Sequence, residues 1–232
     1  SKGSVRVLGQ GSSHGVDTDF FAPEAEMQQV ETLEKFLSSQ PAELTVVFVG
    51  RLARDKGIDT LLDALHICQA RGRSINAIIV GGIESDSVRE MLEHMPAANL
   101  YLSGPVQDVR PFIKAADVLC LPTLREGFPN VVLEAAALGV PAVVSDATGA
   151  VDSVVDGSTG HIFRVGDAAA LADILIDLAA SPSQRLRLGR AARSRVKSTF
   201  EQDRVHRLQL ENLMDQYAIL ASSSPDRPKG HQ

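Results

Sequence analysis

The sequence predicts an α/β protein with a Rossmann-like, doubly wound parallel sheet. Along most of its 232 residues, short apolar runs rich in β-branched residues alternate with helical patterns. The run LTVVFV at residues 44–49 has no polar alternation, as expected of a strand that helices cover on both faces. With 44% hydrophobic and 22% charged residues, the chain has an ordinary composition for a domain with a packed core.

The N-terminal part predicts a strand, a loop and a helix in that order. Residues 4–9 (SVRVLG) predict a short strand, and residues 10–22 are rich in Gly, Ser and Asp and predict a loop or linker. Pro23 predicts the start of a helix that runs to about Ser38, because proline suits the first helical turn.

Strands and helices then follow one another at short intervals. Further strands are expected at residues 75–80, 100–102, 118–121, 141–144 and 161–163. Helices are expected at residues 57–70, 87–95, 109–116, 130–138 and 167–180, and two more run to about residue 220. Asp167 is expected to cap the helix that it opens. In such a sheet, ligands bind beyond the carboxyl ends of the strands.

Composition and charge exclude several classes of function. A net charge of −6 and a pI of about 5.5 argue against nucleic-acid binding. Cys68 and Cys120 lie in apolar stretches, which indicates neither a disulfide framework nor a zinc site and suits a reducing, cytoplasmic compartment. No apolar run reaches the roughly 20 residues that a membrane span requires.

The first candidate site is the segment GRLARDKG at residues 50–57, which leaves one strand and enters a helix. Arg51 and Lys56 would lie beside the helix N-terminus, where backbone amides and the helix dipole favour anions. Arginine binds phosphate oxygens through two parallel hydrogen bonds. An ordinary solvated loop has the same composition, so spacing alone leaves both readings open.

The second candidate site is the pair Glu126 and Glu134, in the segment EGFPNVVLE. A carboxylate among apolar residues is costly unless it accepts hydrogen bonds, and paired ribose hydroxyls would supply them. Alternatively, Glu134 lies on an exposed helix face. The sequence pattern does not decide between the ribose-binding and the exposed position. A third, weaker signal is the segment at residues 145–151, where Gly149 would allow a ligand to approach the backbone closely.

Together, these segments resemble glycosyltransferase family 4, also called group 1, whose enzymes have the GT-B fold. The matching segments are GRLARDKG, PTLREGFPNVVLEAAALGVPAVVSD and VVDGSTG. The resemblance extends from about residue 14 to about residue 201. Its specific element is the pair of glutamates with seven intervening residues, together with the flanking segments GFPN and EAAALGVPAVVSD. It implies the C-terminal, nucleotide-sugar-binding half of such an enzyme. Residues 1–22 would then be an N-terminal strand and interdomain linker, 23–200 the donor domain, and 201–232 a C-terminal helix and frayed tail.

The resemblance also implies roles for individual residues. The catalytic residues would be Arg51 and Lys56, which contact the donor diphosphate, and Glu126, which lies near the donor sugar. Glu134 would bind the ribose hydroxyls. The remaining donor-binding positions would be Gly127, Phe128 and Asn130 around the sugar and Val106 beside the base. Such enzymes retain anomeric configuration, and cations stabilise the leaving diphosphate. No metal and no cofactor are expected, since the nucleotide-sugar is a substrate.

Within the family, the chain looks most like transferases that build polysaccharides on a lipid carrier from UDP-sugars. A hexosyl or N-acetylhexosaminyl group would pass to a saccharide or lipid-linked saccharide acceptor. The acceptor site would belong to an N-terminal domain or separate subunit that this chain lacks. The isolated chain is therefore expected to bind nucleotide without turnover. A non-catalytic nucleotide-sugar-binding module that acts with an acceptor subunit, and a GT-B-fold epimerase, are the alternatives.

A basic run and an apolar stripe near the C-terminus are candidate surfaces for contact with a membrane or another protein. Six basic residues between Arg185 and Lys197 have no intervening acidic residue. A solvated helix face is favoured there over peripheral contact with anionic lipid at the inner face of the membrane. An apolar stripe at helical spacing includes Leu208, Leu213 and Tyr217, and it would be exposed without a partner.

Overall fold

The computed structural model describes residues 12, 14–93 and 99–223, with side chains in the last helix described through Tyr217. The strands are β1 Leu44–Val49, β2 Ile75–Val80, β3 Leu100–Gly104, β4 Val118–Leu121, β5 Ala142–Ser145 and β6 Gly160–Phe163. The helices are α1 Glu31–Ser39, α2 Ile58–Ala70, α3 Asp86–Glu93, α4 Arg110–Lys114, α5 Asn130–Ala137, α6 Ala168–Ala180, α7 Pro182–Thr199 and α8 Gln202–Ser223.

Within the described residues, six strands form one sheet in the order β3-β2-β1-β4-β5-β6. All five neighbouring pairs are parallel. The chain winds outward from β1 in one direction and, after crossing over to β4, outward in the other. This confirms the doubly wound Rossmann-like fold, and it places a topological switch point between β1 and β4, where such folds have a ligand crevice.

Helices cover both faces of the sheet, which explains why the strands read as uninterrupted apolar runs. Val46 and Phe48 belong to a buried core shared with α2 and α6, whereas Val47 between them belongs to a core shared with α4 and α5. All three are fully buried. Successive side chains of β1 therefore face opposite layers, each of which has its own apolar cluster.

A third cluster joins the beginning of the described chain to the start of the last helix. Val16 and Phe200 are buried together against α5 and α7. The Val16 amide donates to the Phe200 carbonyl at 2.9 Å, and the Gln202 amide donates to the Val16 carbonyl at 3.1 Å. The segment before α1 is therefore fixed against the chain that leads into α8.

Most element boundaries agree with the sequence prediction to within two residues. Asp167 caps α6 as predicted, because its carboxylate accepts a hydrogen bond from the Ala170 amide at 2.9 Å. β3 continues to Gly104, two residues beyond its predicted end. The strand predicted at residues 4–9 lies outside the described residues.

The helix predicted to open at Pro23 is wrong, since the first helix begins at Glu31. Pro23 instead lies in consecutive turns, in which the Ala22 amide donates to Asp19 and the Ala25 amide to Ala22. The Pro23 carbonyl accepts a hydrogen bond from Lys114 Nζ at 2.6 Å. A tertiary contact thus uses the carbonyl that a helix would have needed for its own ladder.

Candidate functional site

The switch point brings the three candidate segments together. The loops after β1, β4 and β5 lie at one edge of the sheet, since parallel strands all end there. The Leu124 amide donates to the Asp55 carbonyl at 2.9 Å and joins the first loop to the second. The Glu126 amide donates to the Thr148 carbonyl at 3.2 Å and joins the second loop to the third.

Two glycines allow these loops to approach one another. Gly57 has a φ of +66°, and a Cβ at that position would lie 1.9 Å from the Pro122 carbonyl oxygen. Gly149 has a φ of +83°, and its Cβ would lie 2.2 Å from the Gly127 oxygen. Both positions require glycine for their backbone conformation and for the space around them.

Lys56 and Glu126 form an ion pair across the crevice. Lys56 Nζ lies 2.5 Å from Glu126 Oε1, and each side chain is only 17% exposed. Lys56 ends a short 3₁₀ turn, Arg54–Lys56, and Glu126 lies in the loop four residues before α5. A predicted phosphate-binding cation and a predicted sugar-binding carboxylate are therefore direct neighbours.

Arg51 lies on the outer side of the same edge and is bound by two carboxylates. Its Nη1 is 2.5 Å from Glu84 Oε2, and its Nη2 is 3.6 Å from Asp55 Oδ2. Sequence reasoning missed Glu84. The available signal was its place just after β2, because β2 neighbours β1 and residues beyond both strands reach one edge.

Glu134 lies in the second turn of α5 and is half-buried. Burial raises the pKa of this carboxyl above the ordinary glutamate range. No hydrogen-bond donor or cation from the described part of the chain contacts it. Because the side chain is half-buried, the exposed-face interpretation is wrong. Because no described donor contacts the carboxylate, it is open to an external donor such as a hydroxyl.

The remaining predicted positions surround this core of the site. Gly127 and Asn130 are exposed at the start of α5, and Pro129 precedes that helix without a side-chain cap. Phe128 packs on Phe200, with ring centroids 5.6 Å apart. The Val132 amide donates to the Pro129 carbonyl at 3.1 Å, which leaves the amides of Asn130 and Val131, ahead of it in α5, for an anionic or polar ligand.

Val106 lies farther along the same edge, in the loop between β3 and α4. It is partly buried against the apolar core on the α4 and α5 side. β3 is the outermost strand of the sheet, so the structure separates Val106 from the Lys56–Glu126 pair by the width of β1 and β2. An extended ligand that begins at the pair would have to cross the ends of both strands to reach it.

The part of the chain that the structure describes has no group of three or more His, Cys, Asp or Glu side chains placed to hold a metal ion. None of its helices has both the length and the apolar character to cross a bilayer. The expectation that no cofactor is needed stays a prediction.

The basic run on α7 is largely structural. Arg185 Nε lies 3.2 Å from Asp117 Oδ1, and Arg195 Nη1 donates to the Ser153 carbonyl at 2.7 Å. Both side chains are half-buried, so the prediction of a solvated helix face is wrong for them. Arg190 and Lys197 are exposed. Contact of these exposed residues with anionic lipid stays the less favoured alternative to a solvated face.

Residues 29–195 match the family model described as "Glycosyl transferases group 1". The chain belongs to the group 1 glycosyltransferase family. This confirms the family that the sequence motifs indicated. The matched range contains all the predicted site residues from Arg51 to Glu134, so the switch-point crevice lies within the part of the chain that the family model covers.

Two curated group 1 relatives illustrate the range of named activities. The chain is 32% identical over 199 residues to the capsular polysaccharide biosynthesis glycosyltransferase CapM of Staphylococcus aureus, covering 84% of this chain and 51% of CapM. It is 32% identical over 190 residues to a GDP-mannose-dependent phosphatidylinositol monomannoside mannosyltransferase of Mycolicibacterium smegmatis, covering 77% and 49%. The chain thus spans about half the length of these relatives.

Solved structures show the same GT-B fold. Anabaena HepE in complex with UDP and glucose matches with a TM-score of 0.73 at 22% identity, over 86% of this chain and 55% of HepE. The C-terminal domain of LpcC, a group 1 family protein of Francisella tularensis, matches with a TM-score of 0.68 at 21% identity, over 81% of this chain and 99% of that domain. The chain therefore has the architecture of a C-terminal group 1 domain.

Proposed function

We propose that this chain is the donor-binding half of a retaining glycosyltransferase that takes a hexosyl or N-acetylhexosaminyl group from a UDP-sugar. The observation that carries the proposal is the Lys56–Glu126 pair at the switch point, together with a half-buried Glu134 carboxylate that no cation or hydrogen-bond donor from the described residues contacts. A nucleotide-sugar has a diphosphate between two sets of hydroxyls. Cations flanked by carboxylates are the chemistry that such a molecule requires.

The proposed binding mode assigns each charge a partner. Lys56 and Arg51 bind the diphosphate. Glu126 accepts hydrogen bonds from hydroxyls of the sugar, and Glu134 accepts hydrogen bonds from the two ribose hydroxyls. The free amides at the start of α5, near Gly127 and Phe128, add donors without charge. The loop at Val106 reads the base through its backbone.

The same residues would assist the chemical step. As the bond between sugar and phosphate breaks, negative charge grows on the leaving diphosphate. Lys56 and Arg51 belong to the loop beside that position, so their charges stabilise the leaving diphosphate, which shares them with Glu126 and Glu84. The donor phosphate would help to remove the proton of the acceptor hydroxyl. This scheme requires no metal ion.

The acceptor is proposed to be a saccharide or lipid-linked saccharide, bound by an N-terminal domain or subunit. Support for a polysaccharide product comes from the name of CapM, and support for UDP from the HepE complex. The mycobacterial relative is named for GDP-mannose, so the base must be measured directly.

The test is calorimetric titration of the chain with UDP, GDP, ADP and NAD, without added metal. We expect UDP to bind and NAD not to bind. Uridine, which lacks the diphosphate, should bind far more weakly than UDP. Glu134→Gln is the matched test variant, since it keeps the size of the side chain and removes the carboxylate, and it should bind UDP more weakly.

Three results would overturn parts of the proposal. If none of the nucleotides binds, the chain is not a donor domain. Equal affinities for uridine and UDP would exclude the anion site at Arg51 and Lys56. If GDP binds and UDP does not, the donor-domain assignment stands and the assignment of the base is wrong.

A further inference from the structure

We propose that Arg54 and Arg125 bind a phosphate group of the acceptor at the outer rim of the crevice. Arg54, Arg125 and Leu124, which precedes Arg125 in the chain, are called the rim below. The assignment of this phosphate to an acceptor rests on the proposed function. The rim as a phosphate site rests on the geometry alone.

The rim stands out because its charges are not neutralised. Each of the two loops places one charged side chain inward, Lys56 and Glu126, and these neutralise each other at 2.5 Å. Each loop also places one arginine outward, where Arg54 and Arg125 are exposed. No side chain in the described ranges pairs with either guanidinium.

The acidic residues nearby are occupied elsewhere. Asp55, between the two loops, directs its carboxylate to Arg51 at 3.6 Å. Glu84 pairs with the same arginine at 2.5 Å. The rim therefore keeps two positive charges on a chain whose net charge is −6. Such a local positive site attracts an anion that the rest of the surface repels.

Hydrogen bonds fix the two arginine-bearing loops to each other. The Asp55 carbonyl, one residue after Arg54, accepts from the Leu124 amide at 2.9 Å. The buried Thr123 hydroxyl lies within hydrogen-bond distance of that same carbonyl, at 3.1 Å, and of the Arg125 carbonyl, at 2.9 Å. The two loops are thus fixed to each other at the base of both arginines, which reduces the entropy lost when a ligand binds.

The chemistry of the rim favours phosphate attached to an apolar chain. Two planar guanidinium groups bind phosphate oxygens through forked pairs of hydrogen bonds. Leu124 is 45% exposed, and its amide is bonded to the residue after Arg54, so it adds exposed apolar surface to the same two loops. A phosphate ester of a lipid offers both features, whereas a free phosphate ion offers only one.

The test measures binding of the full chain to phosphatidylcholine vesicles with and without phosphatidic acid, and to soluble glycerol phosphate. We expect binding to the vesicles that contain phosphatidic acid. Arg54→Ala/Arg125→Ala should lose about 30-fold in that binding, which corresponds to about 1 kcal/mol for each of the two basic residues. Leu124→Ser should weaken vesicle binding and leave glycerol phosphate binding unchanged.

Arg190→Ala/Lys197→Ala is the matched control, because it removes two exposed charges from α7 and should retain vesicle binding. An equal loss in the control, or unchanged binding in the rim variant, overturns the proposal. Tight binding of glycerol phosphate that exceeds vesicle binding overturns the lipid source. UDP titration of the unmodified chain tests the donor site independently of the vesicle assay. Failure of the donor site is thus distinguished from failure of the rim.

Discussion

Lys56 Nζ and Glu126 Oε1 lie 2.5 Å apart, although 70 residues separate them in the chain. The contact crosses the switch point between β1 and β4, where the winding of the sheet reverses. It joins the loop that is proposed to bind diphosphate to the loop that is proposed to bind sugar. A ligand that takes up one of these side chains therefore changes the electrostatic surroundings of the other.

Breaking this pair should destabilise the protein. Lys56→Ala leaves Glu126 largely buried without a cation, and we expect a loss of about 1–3 kcal/mol in the free energy of unfolding. Lys56→Met with Glu126→Gln, which removes both charges, should recover most of that loss. Urea denaturation measures both. The control is Lys35→Ala, which breaks the pair with Glu31, whose side chains are 77% and 82% exposed, and which should change little.

Glu84 should compete with the diphosphate for Arg51. Both side chains are about half-exposed, so their pair is weak, and phosphate must share or displace it. We expect Glu84→Gln to raise affinity for UDP two- to fivefold, the range for an exposed ion pair, and to leave uridine unchanged. Calorimetry compares the two ligands. A lower UDP affinity in the variant would mean that Glu84 positions Arg51 instead.

Gly149 should be intolerant of any side chain. A Cβ there would lie 2.2 Å from the Gly127 oxygen and 2.4 Å from the Glu126 oxygen, so Gly149→Ala must displace the loop that holds Glu126. We expect lower stability and weaker binding of UDP-sugar. Gly157→Ala is the control, with a φ of +68° and nothing within 4 Å of its Cβ. It should cost only about 1–2 kcal/mol of backbone strain. Equal effects in thermal melts would exclude the close approach.

The sequence predicted those features that depend on nearby residues. The run at residues 44–49 identified β1, and Asp167 identified the start of α6 through its own capping bond. It also placed the candidate segments at one edge, because parallel strands end together. The motifs could not show that Lys56 meets Glu126, since that contact depends on the spacing of two loops across the switch point.

Long-range contacts also explain the wrong predictions. Pro23 has the local signal of a helix start, but Lys114 binds its carbonyl from α4. Arg185 and Arg195 have the spacing of a solvated face, but each bonds to residues from other elements. Glu134 was left undecided because its exposure depends on how α5 packs.

The pH dependence of the free energy of unfolding should show the effect of burying the Glu134 carboxyl. Burial raises the pKa of this carboxyl, so the folded chain holds its proton at pH values where the unfolded chain has released it. Stability from this group is therefore greatest at low pH and declines as pH rises from the ordinary glutamate pKa to the raised one. Glu134→Gln should remove that decline, and urea titrations of both proteins across this interval measure the difference.

Nucleotide binding should have the opposite dependence on pH. Ribose hydroxyls donate to the ionised carboxylate, so binding lowers the pKa of Glu134 and affinity for UDP rises as pH rises through the same interval. At neutral pH we expect Glu134→Gln to bind UDP about 30-fold more weakly, as for a lost pair of hydrogen bonds to a charged group of about 2 kcal/mol. The ratio of the two affinities should shrink as pH falls. A ratio that is constant with pH would show that Glu134 does not contact the ribose as a carboxylate.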